Sequence, residues 1–216
     1  MFNFSDPKAL YNFMLNGVVE YGTYEDFVKI LYTQIDEIVS DMISTSEDFV
    51  DASEDYISNK ICSSLVDRKF NAVREANENG NADIRIKLGS YKWIAEAKRA
   101  TAVTNVREGL LQLLTRYAKG EGNATSGGLF IYIQGDDERE GVFMKKWIDT
   151  ELPKIKESKV IEIISTSPCD LKPTCYISKL IHPDSKNGYS LRHIPIGFFH
   201  NPKDKSARNS KKHTTN

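Results

Sequence analysis

The 216-residue chain reads as an α/β protein, with a central mixed β-sheet flanked by helices and a helical segment at its N-terminus. Three observations predict this. Apolar residues recur at three-to-four-residue spacing through the first 60 positions. Residues 82–97 switch to alternation of apolar and polar side chains, the strand period. Residues 128–133, Gly-Leu-Phe-Ile-Tyr-Ile, form a short continuous β-prone run, as expected of a strand covered on both faces. With 40% hydrophobic and 27% charged residues the composition is globular, which excludes disorder of the chain as a whole. No apolar run reaches the ~18 residues that span a bilayer, and the N-terminus lacks the basic-then-apolar layout of a signal peptide. Three cysteines, an odd number without framework spacing, fit a reducing compartment. The expectation is a soluble, cytoplasmic protein with no membrane partner.

The elements follow in chain order. Asp6-Pro7 opens a short helix through Leu10, Phe13 and Met14 that should stop near Gly17, since Pro favours the first helical position and Gly the end. Thr23 and Asp26 resemble a capping box, with Asp in place of the usual Glu or Gln. The helix they start carries Phe27, Ile30, Leu31, Ile35, Ile38, Val39 and Met42 on one face and acids on the other. Those acids read as a solvated face or as a docking surface for a basic partner. Ser53 caps a further helix with the stripe Ile57, Ile61, Leu65, expected to end within residues 77–81. Residues 82–88 and 91–97 are two strands joined at Gly89-Ser90. Residues 107–118 return to helical spacing, residues 120–128 are a loop, and residues 128–133 are the buried strand. Downstream lie a helix over 142–150, a strand over 160–165 and a hairpin of 174–182 with 189–198. The tail from residue 201 is basic and polar, a composition that predicts disorder.

Overall net charge is −1, but its distribution is uneven. Residues 1–60 hold 12 acidic and 3 basic residues, the remainder 18 acidic and 26 basic. A near-neutral total thus conceals a basic segment able to meet a polyanion.

The chemistry concentrates in residues 81–98. With a two-residue turn at Gly89-Ser90, Leu88 faces Tyr91 and Asp83 comes opposite Glu96. Period-two alternation puts Ile84, Ile86, Leu88, Tyr91, Trp93 and Ala95 on one apolar face, and Asp83, Glu96 and Lys98 on the other. Like charges directly opposite destabilise a sheet by up to about 1 kcal/mol, so a cation between the two acids is called for. Two converging carboxylates suit Mg²⁺, which retains waters and binds phosphate oxygens, with Mn²⁺ as a substitute. A lysine two residues on lies on the same side, where it can polarise an attacking water or the charge growing on phosphate. Acid-x-Lys occurs six times in the chain, but only at Glu96 does it fall on a strand opposite another acid.

These residues resemble the PD-(D/E)XK nuclease superfamily, whose signature is an acid opening one strand and acid-x-Lys ending the next. Asp83, Glu96 and Lys98 stand at those positions, with Ala82 where the motif's Pro would be. The order helix, hairpin, helix, buried strand over residues 53–133 matches the family's common core. The resemblance implies a restriction-endonuclease-like core over residues 53–200, behind a packed acidic helical segment over 1–52 and a tail over 201–216. It further implies metal ligation by Asp83 and Glu96, catalysis by Lys98, and a site-completing Glu on the preceding helix. Glu54 is the candidate, with Asp55 and Glu75 as substitutes. RecB-like members carry Gln-x3-Tyr on the following helix; here Gln112 and Tyr117 are one residue further apart, which leaves Gln112 as the candidate phosphate or metal-shell contact. The function implied is a Mg²⁺-dependent endo- or exonuclease, on DNA in preference to RNA, in restriction, repair or phage-defence settings.

Lys92, Arg99, Arg107 and Arg116 are the candidate nucleic-acid contacts, joined by Arg85 and the basic tail. Little sequence is left for a specificity domain, so the expectation is either low sequence specificity or a protein partner that supplies targeting or activation; an oligomer is compatible with this. Cys169, Cys175, His182, His193 and His200 match no common zinc spacing. No Gly-x4-Gly-Lys or Gly-x-Ser-x-Gly motif supports P-loop or serine-hydrolase chemistry.

Overall fold

The computed structural model describes residues 7–74, 82–134 and 139–198. Six helices and seven strands run in the order α1 (Pro7–Tyr21), α2 (Tyr24–Ser44), α3 (Glu54–Asp67), β1 (Asn71–Val73), β2 (Ile84–Leu88), β3 (Tyr91–Arg99), α4 (Val103–Gln112), β4 (Ser126–Gln134), α5 (Glu140–Lys146), α6 (Leu152–Glu157), β5 (Glu162–Pro168), β6 (Tyr176–Ile181) and β7 (Gly188–Phe198). The strands form one mixed sheet in the order β1-β2-β3-β4-β7-β6-β5. β3 with β4 and β4 with β7 are parallel, and the other neighbours are antiparallel. No described helix is long and apolar enough to cross a membrane.

Each sheet face carries its own core. On one face α2 and α3 bury Phe27, Leu31, Ile35, Ile57 and Ile61 against Ile84, Ile86, Trp93 and Phe130. On the other, α4 to α6 bury Val106, Leu110, Leu113 and Trp147 against Leu129, Ile131 and Leu191. β4 is covered on both sides, as its unbroken apolar run predicts. Each such side chain contributes roughly 1.5–3 kcal/mol by leaving water.

Helix α2 begins where the sequence places it. Thr23 Oγ1 accepts from the Asp26 N–H while the Asp26 carboxylate accepts from the Thr23 N–H, so Asp completes the capping box. Several acids of this segment are used within the protein. Asp36 makes a two-pronged ion pair with Arg192 at 2.7 and 2.9 Å, and Arg192, in the middle of β7, is fully buried beneath the Tyr32 ring. Arg68 lies 3.6 Å from Asp41 and 4.0 Å from Glu37. Glu25, Asp26, Glu37 and Asp41 remain exposed, in keeping with a solvated face.

Other boundaries differ from the sequence reading for identifiable reasons. Helix α1 runs through Gly17, around which there is open space, and ends before Gly22, where a Cβ would lie 2.9 Å from the Val18 backbone. Helix α3 ends at Asp67, ten residues before the expected stop. Its terminus is a Schellman motif in which the Phe70 N–H bonds Leu65 O and the Lys69 N–H bonds Val66 O. Lys69 takes the left-handed position (φ 69°) usually held by glycine, so the end carries no glycine signal. The three-residue strand β1 that follows is too short to show a period. Helix α4 starts at Val103, earlier than expected, from an Ala102 that offers no capping side chain. It closes in a π-turn over Leu113–Tyr117, and a second π-turn, Trp147–Glu151, joins α5 to α6. The β6–β7 hairpin matches its expected position closely, whereas β5 begins and ends a few residues late. Residues 77–81, Glu75, His200 and the tail 201–216 lie outside the described residues.

Candidate active site

The β2–β3 hairpin has the register the alternation requires. Leu88 pairs with Tyr91 and Ile84 with Ala95, around a Gly89-Ser90 turn in which Gly89 adopts φ 57°. That turn needs a residue free to take a left-handed backbone, which glycine supplies without a Cβ penalty. Ile84, Ile86, Trp93 and Ala95 are fully buried in the core beneath α2 and α3, the face expected to be apolar.

The ladder stops at Ile84–Ala95, one step before Asp83 would face Glu96. Beyond that point β3 keeps β4 on one side but loses β2 on the other, and its N–H groups on the open side need acceptors. Asp83 supplies one: its Oδ2 accepts from the Ala97 N–H at 2.8 Å. Glu54, the first residue of α3, supplies the next, its Oε2 accepting from the Arg99 N–H at 2.7 Å. Two carboxylates from separate elements are thereby drawn to the end of β3, where Glu96 and Lys98 project from the strand itself. Glu54, rather than Asp55, occupies this position. Asp55 is ion-paired with Arg74.

Glu96 and Lys98 do not lie on an open polar face, as the sequence suggests. Helix α4 packs over them, and Glu96 is only 3% exposed. Lys98 Nζ donates to Glu96 Oε1 at 2.7 Å and lies 4.0 Å from Glu54 Oε1. The second oxygen, Glu96 Oε2, is buried without a hydrogen-bond partner. Burial, and then the charge of Asp83, push the Glu96 carboxyl up to about 7, against the opposing bond from Lys98. Burial also raises Glu54, with Asp83 and Asp55 adding to it and the Arg99 N–H and Lys98 counteracting. Burial would lower the Lys98 ammonium, but its bond to Glu96 and the charges of Glu96, Asp83 and Glu54 outweigh this and raise it. The mutual influence of the three acids marks one electrostatic cluster with a single lysine inside it.

Gly109 makes this packing possible. A Cβ there would lie 2.5 Å from Lys98 Cγ, 3.2 Å from Lys98 Cε and 3.4 Å from Glu96 Cγ. The α4 backbone therefore rests directly on both side chains. Sequence reading passed over Gly109, although a glycine inside a helical pattern costs about 1 kcal/mol relative to alanine and so signals a packing demand. Also passed over was a buried pair behind Glu54: Ser58, one turn along α3, bonds the Tyr132 hydroxyl at 2.9 Å. Burial holds the Tyr132 phenol well above its usual range, the Ser58 bond opposes, and the charges of Asp83 and Glu54 add to the rise.

The remaining sequence candidates are dispersed. Gln112 is half-buried, one turn beyond Gly109 on neighbouring positions of α4. Arg99 follows Lys98 directly, and its side chain is exposed. Arg107 lies 3.7 Å from the buried Glu151, so it ties α4 to the second π-turn. Arg116 is exposed on the first π-turn. Tyr117, displaced by the extra residue, lines a cavity with Lys92 and Ile94. Lys92 is six residues from Lys98, about 20 Å along the strand. Cys169 and Cys175 belong to the core beneath α2, and His193 is bonded to Trp147 and Ser178, an arrangement of packing and hydrogen bonds.

The donor set has mixed fitness for a divalent ion. Glu96 Oε2 is an unsatisfied acceptor beside two further carboxylates, which is hard-cation chemistry. As the side chains stand, no three His, Cys, Asp or Glu among the described residues are grouped to hold a metal ion. Asp83 and Glu54 face backbone amides, and Lys98 takes one oxygen of Glu96. Compared with protein-family models, with curated proteins and with solved structures, the chain matches none.

Proposed function

We propose that this protein is a metal-dependent nuclease that hydrolyses phosphodiester bonds, in DNA rather than RNA, on a restriction-endonuclease-like core. The observation that carries the reading is the gathering of Asp83, Glu54, Glu96 and Lys98 at the end of β3, with one buried carboxylate oxygen of Glu96 unsatisfied. The order α3, β2, β3, α4, β4, with β4 parallel to β3, supports the same core, and β1 adds one short strand to it.

In this reading Asp83 and Glu96 would hold Mg²⁺, which would supply Lewis-acid charge to the phosphate. Lys98 positions and polarises the water whose oxygen attacks phosphorus as the bond to the leaving oxygen breaks, the proton the water gives up being replaced by one taken up on that leaving oxygen. Glu54 orients the Arg99 end of the strand and keeps Lys98 charged. Gln112 extends the α4 contact toward substrate, and the exposed Arg99 faces the backbone beside the scissile bond. Restriction, repair or phage defence are the settings such chemistry suits.

Purified protein is expected to degrade DNA with Mg²⁺ or Mn²⁺ and to stop with EDTA. An Asp83→Ala variant separates the enzyme from a non-catalytic nucleic-acid-binding module on the same fold. In an enzyme it abolishes cleavage while binding persists; if wild-type protein binds DNA without cutting it under any of these conditions, the module reading replaces the enzymatic one.

A further inference from the structure

Lys87 and Lys92 are directly opposed across the β2–β3 hairpin. The Lys92 N–H turns outward to Asn123 O at 2.9 Å, which makes 87–92 the non-hydrogen-bonded kind of pair, the kind with the closer side chains. Like charges so placed destabilise a hairpin unless an anion lies between them. Neither lysine has a carboxylate within ion-pairing distance among the described residues.

Lys92 is exposed and Lys87 half-buried. By strand alternation Lys92 shares a sheet face with Ile94, Glu96 and Lys98. Helix α4 packs on the far end of that face; at the near end Asn71, opposite Lys87, is exposed. A cavity of about 270 Å³ adjoins Lys92, with Tyr117 and Lys119 on its wall. Described acids at this end include Glu121, which also lines the cavity, and Asp184, 3.5 Å from Lys119.

We propose that the Lys87–Lys92 pair is a second phosphate-contact point for the nucleic-acid strand that enters the candidate active site. This rests on the nuclease reading and adds a dimension to it. About 20 Å separates Lys92 from Lys98, which at 3.4 Å per nucleotide step of a duplex strand places this contact about six base pairs from the scissile phosphate. The opposed ammonium groups bind one phosphate between them, and the anion removes the repulsion that the free hairpin carries.

The test is the salt dependence of binding. Lys87→Gln/Lys92→Gln is compared with unaltered lysines, both in a Lys98→Ala background, using a fluorescent 16-base-pair duplex and a single strand of equal length. Loss of this one phosphate contact is expected to reduce the slope of log Kd against log salt by about 0.9 on the duplex, or about 0.7 on the single strand. The single Lys87→Gln variant is expected to melt no lower than wild type, because it relieves a like-charge pair. Unchanged slopes overturn the proposal, as does an equal loss from Lys156→Gln/Lys159→Gln on the α6–β5 side. If the slope falls but the wild-type protein never cleaves, the contact stands and the enzymatic reading fails. If wild-type protein cleaves and the slope is unmoved, the contact alone is lost.

Discussion

Replacing Gly109 by alanine tests whether the geometry over Lys98 is functional. The added Cβ would come within 2.5 Å of Lys98 Cγ, about 1 Å inside ordinary carbon contact, and Cγ is too near the backbone to swing clear as a side-chain tip would. Lys98 must therefore shift by roughly 1 Å, or α4 must lift by a similar amount. Misplacement of a catalytic group by 1 Å can cost on the order of 100-fold in rate. Stability moves less. Alanine gains about 1 kcal/mol of helix propensity over glycine, while overpacking costs roughly 1–3 kcal/mol. The expected result is a protein no more than about 2 kcal/mol less stable in urea, with kcat on duplex DNA reduced about 100-fold and the affinity of uncut DNA unchanged. Gly141→Ala is the control, since a Cβ there meets nothing within 4 Å. If Gly109→Ala retains wild-type kcat, Lys98 either tolerates displacement or does no chemistry, and the reasoning fails.

Other expectations concern the frame that holds the site. Asp36→Ala leaves the fully buried Arg192 charge unpaired and should cost about 3–5 kcal/mol in urea unfolding, much of it recovered by adding Arg192→Met; a loss below about 1 kcal/mol would refute the role given to this pair. Burial depresses His193 to about 3, so below its ordinary 6.5 the unfolded chain takes up a proton that the folded one refuses. Stability present above pH 6.5 should thus fall by up to about 1.4 kcal/mol per pH unit toward pH 3, roughly 2 kcal/mol by pH 5. Comparing unfolding of the wild type and His193→Gln across that range checks it, since the variant should lose this part of the slope.

What the sequence disclosed, and what it did not, divides by the range of the interaction. The hairpin register was legible because alternation and a Gly-Ser turn are local, and Glu54 because a cap and an apolar stripe fix a helix's phase. The Schellman end at Lys69 was hidden because a lysine took glycine's place. Strand β1 is too short for a period, and π-turns have no marker in apolar spacing. The burial of Glu96 was misread because the helix that covers it arrives from elsewhere in the chain. Arg192 stands in a strand where alternation gives no reason to bury a charge; only the meeting of β7 with α2 supplies Asp36. The seven-stranded mixed sheet flanked by helices agrees with the expected α/β class at the level of layers, while strand order required the structure.

The proposed chemistry depends most directly on Lys98. Wild-type and Lys98→Ala proteins, matched for folding by circular dichroism and for DNA affinity in EDTA, are to be assayed side by side on linear duplex DNA with Mg²⁺. The account expects cleavage by the wild type that EDTA abolishes, and background-level cleavage by the variant at undiminished binding. Equal cleavage by the two proteins, or background-level cleavage by both across several DNA and RNA substrates, would contradict it.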